Sequence, residues 1–312
     1  MNKVAEIVEN MEKVMVGKRE TINKIIIALL LNGHVLIEDV PGVGKTQCVG
    51  SLAKSVSGSY KRIQFTPDVM ASDITGYNMY NQVKGTFEYR EGAANCNFLL
   101  GDEINRASTK TQSSLLEVME ERQITVDGVT RKVPEPFMVL ATQNPIESKG
   151  TNKLPEAQLD RFLFRISIGY PTKAAEIEIL NRFAGRNPLN DLKPVATAQD
   201  VLDMQDEVEK ISVSDDIKEL VVSISINTRE AAETSLGVSP RGTLALLRVS
   251  KAIAYMKKRD YVIPEDVVLL AKDVLSHRII LSSNAKAKGI TAGEVVSSCV
   301  DKALKQMNKV MK

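Results

Sequence analysis

The sequence predicts an α/β fold: a doubly wound, mostly parallel five-stranded sheet over residues 1–172, followed by an all-α domain over residues 173–312. Three observations lead there. Short apolar runs of strand length alternate with helix-length segments through the first half. The first of these runs feeds directly into a glycine-rich turn and a new helix. After Tyr170-Pro171 the strand-like runs thin out and helical periodicity takes over.

Residues 3–15 and 18–31 read as helices. The second carries Ile22, Ile25, Ile26, Leu29 and Leu30 at helical spacing and is stopped by Asn32-Gly33. His34–Ile37 reads as a buried strand, and the helix that follows the glycine-rich turn runs to about Val56. Arg62–Phe65, Asn97–Leu100, Phe137–Ala141 and Phe162–Ile168 are the further core strands, with a helix at Lys110–Glu121 among them. Two stretches interrupt the alternation as hairpins. Tyr77–Arg90 turns at Lys84-Gly85, and Gln123–Val133 turns at Asp127-Gly128, residues suited to a tight hairpin turn. Beyond Pro171 the spacing predicts helices over 173–185, 197–211, 214–234, 240–258, 264–276 and 291–311.

Composition narrows the class. Lys plus Arg number 41 against 39 Asp plus Glu, a net charge of +2, so nothing pushes the chain toward nucleic acid or an anionic membrane. Aromatics are 4% and Trp is absent, which leaves little material for base stacking. Cys48, Cys96 and Cys299 are scattered and form no CxxC pair, which argues against a disulfide framework or a zinc site and for a reducing setting. The amino-terminal stretch lacks the apolar core of a signal peptide, and the longest apolar run, Ile25–Leu31, is too short to span a bilayer. A cytoplasmic location is expected.

The chemistry is concentrated in four places. The frame Asp39-Val-Pro41-Gly42-Val43-Gly44-Lys45-Thr46 follows the GxxxxGK[ST] pattern of a phosphate-binding loop. Gly42 and Gly44 let backbone N–H groups face phosphate oxygens, Lys45 reaches the β- and γ-phosphates, Thr46 binds Mg²⁺, and the next helix presents its positive end. Asp39 stands where the pattern has Gly, so the backbone there lacks glycine's freedom, and a carboxylate near phosphates is unhelpful unless it points away. Second, the apolar strand Phe98-Leu-Leu-Gly-Asp102-Glu103 ends in two acids, suited to holding Mg²⁺ (Asp102) and polarising an attacking water (Glu103). Third, Asn144 closes the strand ending Ala141-Thr-Gln-Asn-Pro145. It can donate and accept between the two preceding motifs, although Asn-Pro alone reads as a plain turn. Fourth, Arg161 precedes the last core strand and Arg241 opens a helix of the second domain. A forked, permanent cation suits charge on a transferring phosphoryl group, but only the order of motifs lifts these two above surface charge.

In that order the motifs resemble the MoxR family of AAA+ ATPases, within the clade that carries an insert in helix 2. The resemblance spans nearly the whole chain. It rests on Val16-Gly17, His34–Thr46, Arg62-Ile-Gln-Phe-Thr-Pro67, Ser72-Asp-Ile-Thr-Gly76, Asp102-Glu-Ile-Asn-Arg-Ala107, Ala141–Pro145, Leu154–Phe162 and Ser239-Pro-Arg-Gly242. It implies an α/β ATPase core and a helical lid, assembled as a ring of six whose formation can depend on ATP, hydrolysing Mg·ATP to ADP and phosphate between subunits. It implies nucleotide contacts from Pro41 through Gln47 and from Val16 and Gly17 against the adenine. Asn144 would be the sensor 1 residue, Arg241 sensor 2 and Arg161 the arginine finger, with Arg106 a lesser candidate at that interface. The two hairpins resemble the helix-2 insert and the pre-sensor 1 hairpin. The partners implied are a protein with a von Willebrand factor A domain and a client matured in chaperone-like fashion. Two neighbouring readings remain open: a motor subunit of a metal chelatase, and a nucleic-acid motor using Tyr77, Lys84, Arg90, Arg131 and Lys132. No helix-turn-helix or cysteine-rich finger favours the latter. A GTPase is disfavoured because no NKxD motif occurs, and a non-hydrolysing scaffold because Glu103 is intact.

Overall fold

The structure is a computed structural model that describes residues 3–144 and 152–310; Pro145 lies outside the described residues. By its internal contacts the chain divides into two compact units, Met1–Leu154 with Ile166–Leu202, and Pro155–Arg165 with Asp203–Lys312.

The first unit opens with helices Lys3–Glu12 and Arg19–Leu30. The second helix buries Ile22 and every residue from Ile25 to Leu30, more than one face, so it is a core element. It ends in a Schellman arrangement. Asn32 adopts φ 53°, the Gly33 N–H reaches the Ala28 carbonyl at 2.8 Å and the Asn32 N–H reaches Leu29 at 3.1 Å. The chain is thereby turned into the first strand.

The strands, in chain order, are β1 (Val35–Glu38), β2 (Tyr60–Gln64), β3 (Tyr77–Asn81), β4 (Thr86–Arg90), β5 (Phe98–Asp102), β6 (Gln123–Val126), β7 (Val129–Lys132), β8 (Met138–Gln143), β9 (Phe164–Ile166), β10 (Thr234–Leu236) and β11 (Ile280–Leu281). Five of them form one sheet in the order β2-β5-β8-β1-β9, and the ladders β2/β5, β5/β8 and β8/β1 are parallel. The strands predicted from apolar runs are these five, displaced by a few residues at their ends. β5 is buried at every position, as both-face coverage by helices requires. His34, just before β1, is structural. Its Nδ1 accepts the Val139 N–H at 3.0 Å, so Nε2 carries the proton and donates to the Met119 carbonyl at 3.0 Å.

Both predicted hairpins are present. β3 pairs with β4 from Tyr77↔Arg90 to Asn81↔Thr86, and β6 with β7 from Gln123↔Lys132 to Val126↔Val129. Gly76 enters the first at φ 83°, where a Cβ would sit 2.3 Å from the Arg90 carbonyl oxygen. The hairpins are braced against each other: Asn78 Nδ2 donates to Asp127 Oδ2 at 2.7 Å, and the Arg131 guanidinium lies 4.0 Å over the Tyr89 ring. The β3/β4 hairpin leaves Tyr80, Val83 and Phe87 exposed.

The second unit is mainly helical, with Asp215–Glu230, Pro240–Met256 and Ala292–Val310 as its longest helices. It also contains the antiparallel ribbon β10/β11, which the helical periodicity does not predict. Among the described residues no helix is long and apolar enough to cross a membrane.

Cys48 and Cys96 are free and fully buried, and burial pushes their thiols up to about 12 and about 11. Raised pKa values keep both thiols protonated at pH 8, where the reactive form is the thiolate. Iodoacetamide at pH 8 is therefore expected to modify these two at least about a hundredfold more slowly in the native protein than in denaturant. Equal rates in the two states would contradict the buried placement.

Candidate active site

The sheet order places β8 between β1 and β5, so the carboxyl ends of three neighbouring parallel strands open onto one edge. Ligands of open α/β sheets bind at that edge. A cavity of ≈ 310 Å³ lies there, lined by Pro41, Gly42, Gly44, Lys45, Thr46 and Gln47 of the glycine-rich loop, by Asp102 and Glu103, and by Thr142 and Asn144. Arg62 and Gln64, from β2, complete the wall.

The loop is shaped by its glycines. Gly42 and Gly44 take φ 88° and 93°, which L-residues with side chains rarely adopt, and Gly44 caps the helix Lys45–Ser55. A Cβ on Gly42 would meet nothing within 4 Å, so this glycine is demanded by backbone conformation rather than by packing. Lys45 folds back over the loop and donates to the Asp39 carbonyl at 2.7 Å. Burial lowers the Lys45 pKa, and the charges of Asp39, Asp102 and Glu103 oppose that drop. Gln47 Oε1 is buried and has no hydrogen-bond partner among the described residues.

The two acids are oriented by one hydroxyl. Thr142 Oγ1 donates to Asp102 Oδ1 at 2.9 Å and accepts the Glu103 N–H at 3.0 Å. Asp102 is buried, and its Oδ2 accepts from Arg62 Nε at 2.9 Å and Nη2 at 2.8 Å. Glu103 stands at φ 57°, a costly conformation for a non-glycine residue, and turns the chain out of β5 into the short 3-10 helix Ile104–Arg106. Its carboxylate pairs with Arg106 Nη1 at 2.9 Å within the same chain. Asn144 is buried at the end of β8.

Val16 and Gly17 lie in the turn between the first two helices and do not line this cavity. Met15 comes within 3.9 Å of where a Gly44 Cβ would stand, and Ala175 within 3.1 Å of a Gly17 Cβ. Val43 is in the loop but also absent from the lining. Arg161 and Arg241 belong to the second unit, Arg161 just after the helix Glu156–Leu159 and Arg241 in the first turn of Pro240–Met256.

Asp39 has a definite task. It is buried, and its carboxylate faces away from the loop onto the turn after β9. It accepts from Ser167 Oγ at 2.8 Å, from the Gly169 N–H at 3.3 Å and from the Ile168 N–H. The carbonyls of the same turn are held from the other side by Lys18, whose Nζ donates to Ile168, Gly169 and Tyr170 at 2.7, 3.0 and 2.9 Å. All three ammonium protons are thus spent on one turn. Sequence reasoning missed Arg62, Gln64, Thr142 and the task of Lys18. Each sits inside or beside a motif already singled out, but its partner is supplied by strand register or by a turn far along the chain. Replacing Asp39 by Ala strands buried N–H groups and is expected to destabilise the protein by about 1–3 kcal/mol in urea unfolding. Parental stability in that variant would refute the clamp.

Comparison with known proteins agrees with this geometry. Residues 34–164 match the family described as "ATPase family associated with various cellular activities (AAA)", and residues 226–299 match the AAA lid domain. The chain is 50% identical to YeaC of Bacillus subtilis, covering 93% of this chain and 90% of that protein. It is 40% identical to Chaperone MoxR1 of Mycobacterium tuberculosis, covering 96% and 81%. A crystal structure of a protein from Cytophaga hutchinsonii, 40% identical, superposes with a TM-score of 0.91 over 96% of this chain and 94% of that one. With a glycine-rich loop, an acidic strand end and a polar strand end converging on one cavity, and with these relatives along nearly its full length, the chain belongs to the MoxR family of AAA+ ATPases.

Proposed function

We propose that this protein hydrolyses Mg·ATP to ADP and phosphate at the interfaces of a subunit ring, most simply of six, and spends the resulting motion on chaperone-like maturation of a client protein. The observation that carries the reading is the convergence of Lys45, Thr46, Asp102, Glu103 and Asn144 on one cavity of ≈ 310 Å³.

The residues present fit the nucleotide and its metal. The loop supplies backbone N–H groups shaped by two positive-φ glycines, and Gln47 offers an unused buried acceptor. Thr46 and Asp102 are the hard oxygen donors that Mg²⁺ takes, and the ion when bound would neutralise charge on the β- and γ-phosphates. Arg62, whose side chain is half exposed, is the group that yields Asp102 Oδ2 to it. Lys45 holds the terminal phosphates. Glu103 orients the attacking water and takes its proton, for which it must leave Arg106. Asn144 fixes the water or the γ-phosphate as sensor 1, Arg241 acts as sensor 2, and Arg161 serves the site of a neighbouring subunit. Val16 and Gly17, which lie outside the cavity, contact the base where the nucleotide extends beyond it. Residues 1–172 act as the ATPase core and 173–312 as the lid. The braced hairpins, with their exposed Tyr80, Val83 and Phe87, are the part offered to a client or to a partner bearing a von Willebrand factor A domain. The three free, buried cysteines fit a reducing cytoplasm.

Glu103→Gln is expected to bind ATP within about threefold of the parent while kcat falls by roughly 10²–10⁴. Parental turnover in this variant would remove Glu103 from the mechanism. Arg161→Ala subunits mixed with Lys45→Ala subunits should regain activity that neither has alone, because some interfaces then pair an intact loop with an intact finger. A mixture as inactive as its components would leave Arg161 without a role in trans.

A further inference from the structure

Within the second unit, Arg278 is buried and its whole fork is spent on two short segments. Nε donates to Asp160 Oδ1 at 2.8 Å, with the side chains 2% and 20% exposed. The remaining donors go to the carbonyls of Phe162 at 2.7 Å, Leu163 at 3.2 Å and Asp160 at 3.3 Å, and to Val274. Three of these four carbonyls belong to the stretch that encloses Arg161. The second carboxylate oxygen of Asp160 accepts from Ser239 Oγ at 2.9 Å, and that same Oγ accepts the Gly242 N–H at 3.1 Å, capping the helix whose second residue is Arg241.

Packing agrees with the polar contacts. A Cβ on Gly242 would stand 2.8 Å from Arg278 Cδ and 2.7 Å from Val238 Cγ1. The glycine of Ser239-Pro-Arg-Gly242 is therefore what lets the Arg278 stem cross the first turn of that helix. A buried ion pair is weak evidence for stability, since well-packed apolar groups do as well. What a saturated guanidinium supplies instead is fixed geometry at each acceptor.

We propose that Arg278 is a positioning residue for hydrolysis: through Asp160 and the 160–163 carbonyls it sets Arg161, and through Asp160 and Ser239 it ties that segment to Arg241. The two arginines that answer to phosphoryl charge then shift together. The proposal rests on the reading of Arg161 and Arg241 given above.

Arg278→Lys keeps the charge and loses the fork. It is expected to melt cooperatively and to bind a fluorescent ATP analogue within about threefold of the parent, while kcat falls at least about tenfold. Amide exchange should speed up together in residues 159–163 and 239–243. Combined with Arg161→Ala, it should lower kcat by clearly less than the product of the two single losses, because only the path through Ser239 to Arg241 is then left to lose. Parental kcat in Arg278→Lys, or losses that multiply in the double variant, would overturn the proposal. If Arg278→Lys does not fold, Ser239→Ala cuts the link to the Arg241 helix together with that helix's cap, and leaves the Arg278–Asp160 pair in place. A kcat about threefold lower with unchanged nucleotide affinity supports the proposal, and parental kcat overturns it. Arg161→Ala and Arg241→Ala separate the two levels. Loss of kcat there with none in Arg278→Lys sinks the positioning role alone, whereas parental kcat in both sinks the reading of the arginines and the positioning role with it.

Discussion

Everything at the candidate site depends on β8 lying between β1 and β5 in parallel register. Parallel strands carry their loops out on the same side, so the glycine-rich loop, the Asp102-Glu103 pair and Asn144 meet because their strands are adjacent. The pairing also delivers Thr142 to the position where one hydroxyl can serve both acids. Without that hydroxyl, Glu103 would lose the partner of its N–H at the point where its backbone is held in an unfavourable conformation.

Around this edge the charges are paired with few left over. Asp102 is matched by Arg62, Glu103 by Arg106, and Lys45 leans on the Asp39 carbonyl. A polyanion with its metal replaces these pairings rather than finding bare charges, which limits the desolvation each group suffers before the ligand arrives. The departure at Asp39 belongs to the same economy. Its carboxylate is fully engaged by the turn after β9, and Lys18 neutralises the opposite face of that turn. An acid beside a phosphate site is tolerable because its lone pairs are already taken.

Much of this was legible in the sequence. The five core strands announce themselves as apolar runs because both their faces are covered, and the two hairpins by Lys84-Gly85 and Asp127-Gly128. The glycine-rich loop is legible because it is local: its chemistry is carried by consecutive residues. What could not be read is long-range. Arg62 looks like an ordinary strand residue until the register sets Gln64 beside Asp102. Lys18 and Asp39 find their partners well over a hundred residues downstream. β10 and β11 are too short, and too far apart in sequence, to give a period. Arg278 reads as surface charge because arginine usually is; only the fold reveals its burial.

The bracing of the hairpins has a mechanical meaning. A lone two-stranded ribbon is marginal in water and bends under thermal motion. Here the β3/β4 ribbon is pinned to the β6/β7 ribbon by Asn78–Asp127 and by Arg131 against Tyr89. The β6/β7 ribbon continues from the helix Thr109–Glu121, which follows the acidic strand end after a single short turn. The pair therefore behaves as a strut, not as two whiskers. A load at Tyr80, Val83 or Phe87 thus bears on two joined ribbons and on the helix Thr109–Glu121 between them and the acidic strand end, rather than on one hairpin alone.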